Sequence, residues 1–142
     1  MRHIDSIILV NDLEASKSFY TRLIGLEILH DWGNMVVFKE RFAIHKAHAL
    51  QPPELIDRFI HDGSQGHGNV VLYFEASDLE AEFQKLVQAG VKVIHNIVQV
   101  PWQKLFRVYD PDGHIVEIGS PSTRPDGKAV YKKPPTSLQG RF

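Results

Sequence analysis

The feature that most constrains the fold of this chain is an internal repeat. The tetrapeptide Asp-Leu-Glu-Ala occurs at residues 12–15 and again at residues 78–81. Each copy follows an apolar run and precedes a segment of helical periodicity that ends at a glycine, Gly25 or Gly90. The same order of apolar run, helix and glycine in both halves predicts two copies of one supersecondary unit.

Local chemistry explains why each copy starts and ends a helix where it does. Asp12 and Asp78 suit the N-cap, because a carboxylate accepts hydrogen bonds from the free N–H groups of the first turn. In the second copy Leu79, Phe83 and Leu86 fall on one face of the predicted helix. The glycine that ends each segment suits a left-handed C-terminal cap.

Segments with strand-like composition follow each predicted helix, and turn signals such as Asp-Pro-Asp-Gly at 110–113 separate them. The order β-α-β-β-β therefore occurs twice, which predicts an α+β fold. The predicted strands after the helices are 26–29, 35–38 and 42–46 in the first half, and 92–95, 105–109 and 114–118 in the second.

The length of 142 residues suits a single domain over residues 1–120. Module one is predicted at 1–48 and module two at 69–120. The connector 49–68 contains a short amphipathic helix that starts at Pro53 and includes Leu55, Ile56, Phe59 and Ile60. The tail, 121–142, is predicted to be irregular, and the sequence leaves open whether it wraps a partner subunit or is disordered.

Composition excludes several classes of protein. The absence of cysteine excludes disulfides, thiolate metal sites and a cysteine nucleophile. A net charge of -1 points neither to nucleic acid nor to an anionic membrane as partner. No apolar stretch approaches the roughly 20 residues of a membrane helix, and the N-terminal apolar run is too short for a signal peptide. A cytoplasmic protein is expected.

Three segments, 4–20, 23–27 and 106–117, resemble the vicinal oxygen chelate superfamily, which includes glyoxalases, bleomycin-resistance proteins and extradiol dioxygenases. The resemblance covers residues 4–120. It implies that the two βαβββ modules pair into a curled mixed sheet, a half-barrel whose cleft holds a small molecule, and it favours a homodimer. In the enzymes of this superfamily a divalent metal in the cleft acts as a Lewis acid.

The metal ligands that the resemblance implies are only partly present. Glu117 matches the glutamate of the last strand, three residues after His114 in the turn motif. The histidine of the first strand is replaced by Asp5, with His3 two residues earlier on the same strand face. An overlay of the two halves sets His45 opposite Glu117. Glu117, His45, Asp5 and His3 are therefore the candidate ligands for manganese, iron, nickel or zinc.

The second module offers no first-strand ligand. Its equivalent position is Val71, and a slip of two residues gives Asn69, with His67 beyond it. Valine cannot coordinate a metal, so Asn69 and Val71 are candidate ligand-pocket residues instead. Trp102 is predicted at the cleft rim, where an indole stacks on a flat or cationic ligand or covers the core edge.

Phe38 is a further candidate, since strand alternation leaves open whether its ring lines the cleft or fills the core. Two functions remain open at this point. One is a binding protein that takes an aromatic or cationic small molecule without the standard metal site. The other is a metal-dependent lyase or dioxygenase, in which Glu117 is the candidate catalytic residue and Asp5 or His3 completes the metal site with His45.

Overall fold

The computed structural model describes residues 1–58 and 60–131. They divide into two compact units: Met1–His67 with Pro111–Gly113, and Gly68–Asp110 with residues 114–131. Within the described ranges no helix is long and apolar enough to cross a lipid bilayer.

Each unit contains one four-stranded mixed sheet and one α-helix, so the predicted α+β class and βαβββ order are confirmed. In both sheets the first strand pairs in parallel with the last, and the remaining pairs are antiparallel. The strand orders are β1-β4-β3-β2 and β5-β8-β7-β6. The elements of the first unit are β1 (Ser6–Val10), α1 (Leu13–Ser18), β2 (Ile28–Asp31), β3 (Met35–Phe38) and β4 (Phe42–Lys46). Those of the second are β5 (Val71–Glu75), α2 (Leu79–Gln88), β6 (Val93–Val100), β7 (Gln103–Tyr109) and β8 (Ile115–Gly119).

The predicted helix caps are confirmed in both units. Asp12 accepts a hydrogen bond from the backbone N–H of Ala15 at 3.0 Å, and Asp78 does the same for Ala81 at 3.0 Å. Gly25 and Gly90 have φ angles of 89° and 77°, the left-handed conformation that a C-terminal cap requires.

The first helix differs from the prediction. It is α-helical only to Ser18 and continues as a π-helical turn over Phe19–Leu23. The hydroxyl of Thr21 donates to the carbonyl of Lys17 at 2.7 Å and so competes for the acceptor of a regular helical hydrogen bond. A local π turn accommodates that competition.

Strand boundaries agree closely where turns define them. The strands at 35–38 and 42–46 are confirmed exactly, whereas β2 begins at Ile28 because the N–H of Leu26 still bonds to the helix carbonyl of Tyr20. In the second unit β6 extends to Val100, which pairs with Gln103, the first residue of β7. The last strand is displaced by one residue from the predicted 114–118.

The connector contains the short helix expected from Pro53, as a 3-10 helix over Pro53–Arg58. Phe59, predicted to lie on its apolar face, is outside the described residues. The tail predicted as irregular, 121–142, is described only as far as residue 131. Over that part it forms a turn, in which the N–H of Gly127 donates to the carbonyl of Arg124 and the N–H of Arg124 to the carbonyl of Lys128, and a bridge between Thr123 and Ala129.

Each sheet buries one face beneath its own helix. In the first unit Tyr20 is fully buried and packs against Phe38 and Phe42, with ring centroids 6.0 and 5.0 Å away. In the second unit Phe83 of α2 meets the buried ring of Phe106 edge-on at 5.0 Å. Burying aromatic rings in this way contributes a large share of the core energy.

Loss of an N-cap tests whether the repeated aspartates hold the helices. Asp12→Ala and Asp78→Ala are each expected to lower the free energy of unfolding by about 1 kcal/mol, because an N–H of the first turn loses its acceptor. Chemical denaturation monitored by circular dichroism measures this loss. Glu14→Ala, an exposed residue in the first turn of α1, is the control and should cost under about 0.5 kcal/mol. Equal losses in all three variants would contradict the capping role.

Candidate ligand-binding site

A row of polar side chains crosses the second sheet. Strand pairing places Tyr73 of β5 beside Glu117 of β8, Glu117 beside Arg107 of β7, and Arg107 beside His95 of β6. On β7 and β8 the alternate residues Phe106, Val108, Val116 and Ile118 point to the opposite face and are buried. Because side chains alternate along a strand, the polar row and the helix-covered core lie on opposite faces of the sheet.

Glu117 and Arg107 form a charge-assisted ion pair at the centre of this row. The Nε and Nη2 atoms of Arg107 lie 2.7 and 2.6 Å from Glu117 Oε2. The third nitrogen, Nη1, lies 3.1 Å from His95 Nε2. The side chain of Glu117 is 16% exposed and that of Arg107 38% exposed. A pair held by two short bonds in a half-buried place fixes the carboxylate more firmly than a single surface contact does.

The open face of the second sheet holds a cavity of about 340 Å³. Its wall combines aromatic rings with a few polar groups, which is the usual composition of a small-molecule site. The residues that line it are Tyr73, Trp102, Gln103, Glu117, Ser122, Val130 and Tyr131.

The segment after β8 supplies one wall of this cavity. The backbone N–H of Ser122 donates to Glu75 Oε2 at 2.7 Å, which ties the segment to β5. The ring of Tyr131 then lies against that of Tyr73, with 5.9 Å between the centroids. Trp102, in the β6–β7 turn, is 53% exposed. The aromatic wall therefore comes from three separate parts of the chain.

Tyr73 connects the cavity to a small polar cluster. Its hydroxyl oxygen lies 2.7 Å from Glu75 Oε2 and 2.9 Å from Gln103 Oε1. A phenol has one proton, which favours the charged carboxylate. We therefore assign the amide of Gln103 in the orientation turned by 180°, in which its nitrogen donates to the hydroxyl oxygen of Tyr73.

The turned orientation also suits the amide atom of Gln103 that does not face Tyr73. This second amide atom lies against Gly119 and has no hydrogen-bond partner in the described part of the chain. A carbonyl oxygen there can accept a weak bond from the glycine Cα–H, whereas a buried NH2 group would lose two donors. A β-carbon on Gly119 would approach the end of this amide to 1.9 Å, so only glycine leaves room for it.

The candidate ligands from the first module do not come together. Leu9 of β1 pairs with His45, and Asp5 lies four residues earlier, roughly 13 Å along the strand at 3.3 Å per residue. His45 Nδ1 lies 2.8 Å from the carbonyl oxygen of Lys46. His3 is exposed, with Nε2 3.2 Å from the hydroxyl of Ser6.

The other candidate residues occupy different surroundings. Phe38 is fully buried beside Phe42, with the rings stacked at 5.6 Å, so its position is that of a core residue. Val71 begins β5 and is exposed on the face that carries Tyr73, while Asn69 is exposed just before it. Trp102 lines the cavity of the second unit, and its place at the rim of a ligand cleft stays a prediction.

The described part of the chain does not bring together the side chains that a divalent metal site needs. No group of three or more His, Asp or Glu side chains placed to hold an ion occurs in residues 1–58 and 60–131. The best matched candidate, Glu117, already has the guanidinium of Arg107 on Oε2. The residues present therefore do not fit the metal that the superfamily implies. The ligand set Glu117, His45, Asp5 and His3 stays a prediction.

Sequence reasoning missed several residues of the site, among them Arg107, Gln103 and Tyr131. Arg107 is one residue after Phe106 in the matched motif, but its partner is known only once the β7–β8 register is fixed. Gln103 belongs to no motif, and only its position next to Trp102 in the sequence could have pointed to it. Tyr131 lies in the tail, which no repeat or periodicity marks.

A model of the glyoxalase-like domain family matches residues 3–123. The chain belongs to this family. The resemblance to the vicinal oxygen chelate superfamily is thereby confirmed. No curated protein shows a significant match to the chain.

Solved structures support the same fold. A protein of unknown function from Agrobacterium tumefaciens is 42% identical, with a TM-score of 0.75, over 84% of this chain and 94% of that one. A lactoylglutathione lyase from Agrobacterium tumefaciens is 22% identical, with a TM-score of 0.59, over 82% and 91%. TnmS3, an antibiotic binding protein from a Streptomyces species, is 21% identical, with a TM-score of 0.61, over 86% and 97%. The last two comparisons support the fold alone.

The contact between Gly119 and Gln103 is testable by a double-mutant cycle. Gly119→Ala is expected to lower the free energy of unfolding by about 1–3 kcal/mol, because the new methyl group displaces the Gln103 amide. In a Gln103→Ala background the same change should cost about 1 kcal/mol less, since nothing remains to displace. Denaturant unfolding of the four proteins gives the coupling energy. Additive losses would show that the amide does not occupy this position.

The raised pKa of Tyr73 predicts that the stability of the protein changes with pH in the alkaline range. Burial first, and the hydrogen bond to Glu75 second, raise the pKa of Tyr73 above the ordinary value of 10.0. A raised folded-state pKa gives a stabilisation that is complete below the unfolded value and is lost as the pH rises through the folded value. The stability of the natural protein relative to Tyr73→Phe should therefore decline above about pH 10. A constant difference between the two proteins at all alkaline pH values would contradict this.

Proposed function

We propose that this protein binds small planar molecules in the cavity of the second unit and does so without a metal ion. The observation that carries the proposal is the cavity of about 340 Å³ lined by Trp102, Tyr73 and Tyr131. Its volume lies within the usual range for small-molecule sites, and aromatic walls favour flat ligands. The half-exposed indole of Trp102 offers a face for stacking.

One structural relative supports a binding role. TnmS3, which shares the fold, is an antibiotic binding protein. Its existence supports the idea that such a sheet can hold an organic ligand. The substrate chemistry of the lactoylglutathione lyase is not favoured here, because Glu117 is paired with Arg107.

The metal-dependent alternative remains distinguishable from the binding role. A lyase or dioxygenase that used Glu117 with Asp5 or His3 and His45 would need His45 and Asp5 to converge, although the strand pairing sets them roughly 13 Å apart. It would also place a metal cation beside the guanidinium of Arg107, which already neutralises Glu117. A cavity with aromatic walls needs no such rearrangement to bind a ligand.

Substitution of the two tryptophans tests the binding role. Quinoline, indole and coumarin are titrated against the protein by ligand-observed NMR in the presence of a chelator. Trp102→Ala is expected to weaken binding roughly tenfold or more, because the ligand loses its stacking surface. Trp32→Ala, which removes an exposed indole from the first unit, is the matched control and should leave binding unchanged.

Two results would contradict the proposal. The first is equal binding by the natural protein and by Trp102→Ala. The second is binding that appears only after addition of manganese, iron, nickel or zinc, which would favour the metal-dependent alternative.

A further inference from the structure

The second carboxylate oxygen of Glu117 is available to a ligand. Both short bonds from Arg107 end on Oε2, so no contact with Arg107 occupies Oε1. In the described part of the chain, Oε1 is not one of the side-chain atoms that are buried without a hydrogen-bond partner. A ligand can therefore reach it, although Glu117 is largely buried. Because Glu117 lines the cavity, Oε1 is a hydrogen-bond acceptor at its wall.

Arg107 makes this acceptor rigid. A free glutamate side chain rotates about three bonds and loses that freedom when it binds a ligand. Two contacts on Oε2 hold that oxygen in place and so restrict the rotation of the side chain before any ligand arrives. A preorganised acceptor loses less entropy on binding, so its hydrogen bond adds more to affinity.

The charge around the cavity opposes anions. Two carboxylates, Glu117 and Glu75, lie within this part of the sheet, and Arg107 balances one of them. Glu75 accepts bonds from the neutral groups Tyr73 and Ser122, which supply no positive charge. The face of Trp102 likewise attracts positive rather than negative groups.

We propose that the cavity selects planar nitrogen heterocycles that carry an N–H donor on the ring edge. The donor binds Glu117 Oε1, and the ring packs against Trp102 and Tyr131. The inference rests on the proposed function and adds the chemical class of the ligand. It also assigns Glu117 a role as hydrogen-bond acceptor, held in place by Arg107.

Three probes with the same quinoline ring separate the effect of the N–H donor from the effect of charge. They are 2-aminoquinoline, 2-methylquinoline, which has nearly the same shape but no donor, and quinoline-2-carboxylate, which is an anion. Fluorescence quenching of Trp102 in a Trp32→Phe background measures each affinity. The titrations use a pH above the pKa of both quinoline bases, so that both are neutral. The amine is expected to bind roughly tenfold more tightly than the methyl compound, and the anion more weakly than either.

Variants of Glu117 test whether this residue causes the preference for the amine over the methyl compound. Glu117→Leu removes the acceptor and should abolish the preference for the amine, while Glu117→Gln keeps a carbonyl oxygen and should retain part of it. Glu82→Leu, a carboxylate on α2, is the control and should retain all of it. If Glu117→Leu fails to fold, the preference of the natural protein and of Glu117→Gln decides the question.

The outcomes separate the two proposals. Equal affinity for the amine and the methyl compound would overturn the donor inference and leave small-molecule binding intact. Tighter binding of the carboxylate would overturn the charge argument. If none of the three probes quenched Trp102, the inference would be wrong for this class of ligand, and the wider titration with quinoline, indole and coumarin would still decide whether the cavity binds anything.

Discussion

Parallel pairing between the first and last strands of each unit is the constraint on which the site depends. Tyr73 and Glu117 are far apart in sequence, yet the β5–β8 pairing makes them neighbours. A parallel pair needs a crossover connection, and the helix and the two intervening strands provide it. Once β8 lies beside β5, antiparallel pairing with β7 puts Arg107 on the other side of Glu117.

The ion pair changes what Glu117, the glutamate of the family motif, can do. The family resemblance implies that Glu117 is a metal ligand, and a metal ligand must present its oxygens to the ion. Here a guanidinium takes one oxygen, so the carboxylate is neutralised without a metal. The same fold can thus hold a similar glutamate for a different purpose, which is why the site rather than the fold has to support a functional argument.

The sequence predicts the fold better than the site, for physical reasons. Caps and glycines act within a few residues, so Asp12, Asp78 and Gly90 could be recognised directly. Cross-strand partners such as Arg107 depend on a register that one sequence does not state. The overlay that set His45 opposite Glu117 compared sequence motifs, whereas the strand pairing separates His45 from Asp5 along β1.

The wall formed by Tyr131 has a consequence for how such proteins diversify. The segment that carries it follows the last strand and is fastened to the sheet through Ser122 and Glu75. Substitutions around Tyr131 therefore leave every strand-to-strand bond of the second sheet in place. Under the proposed binding role, a change in this segment would alter the cavity wall without altering the pairing of the strands.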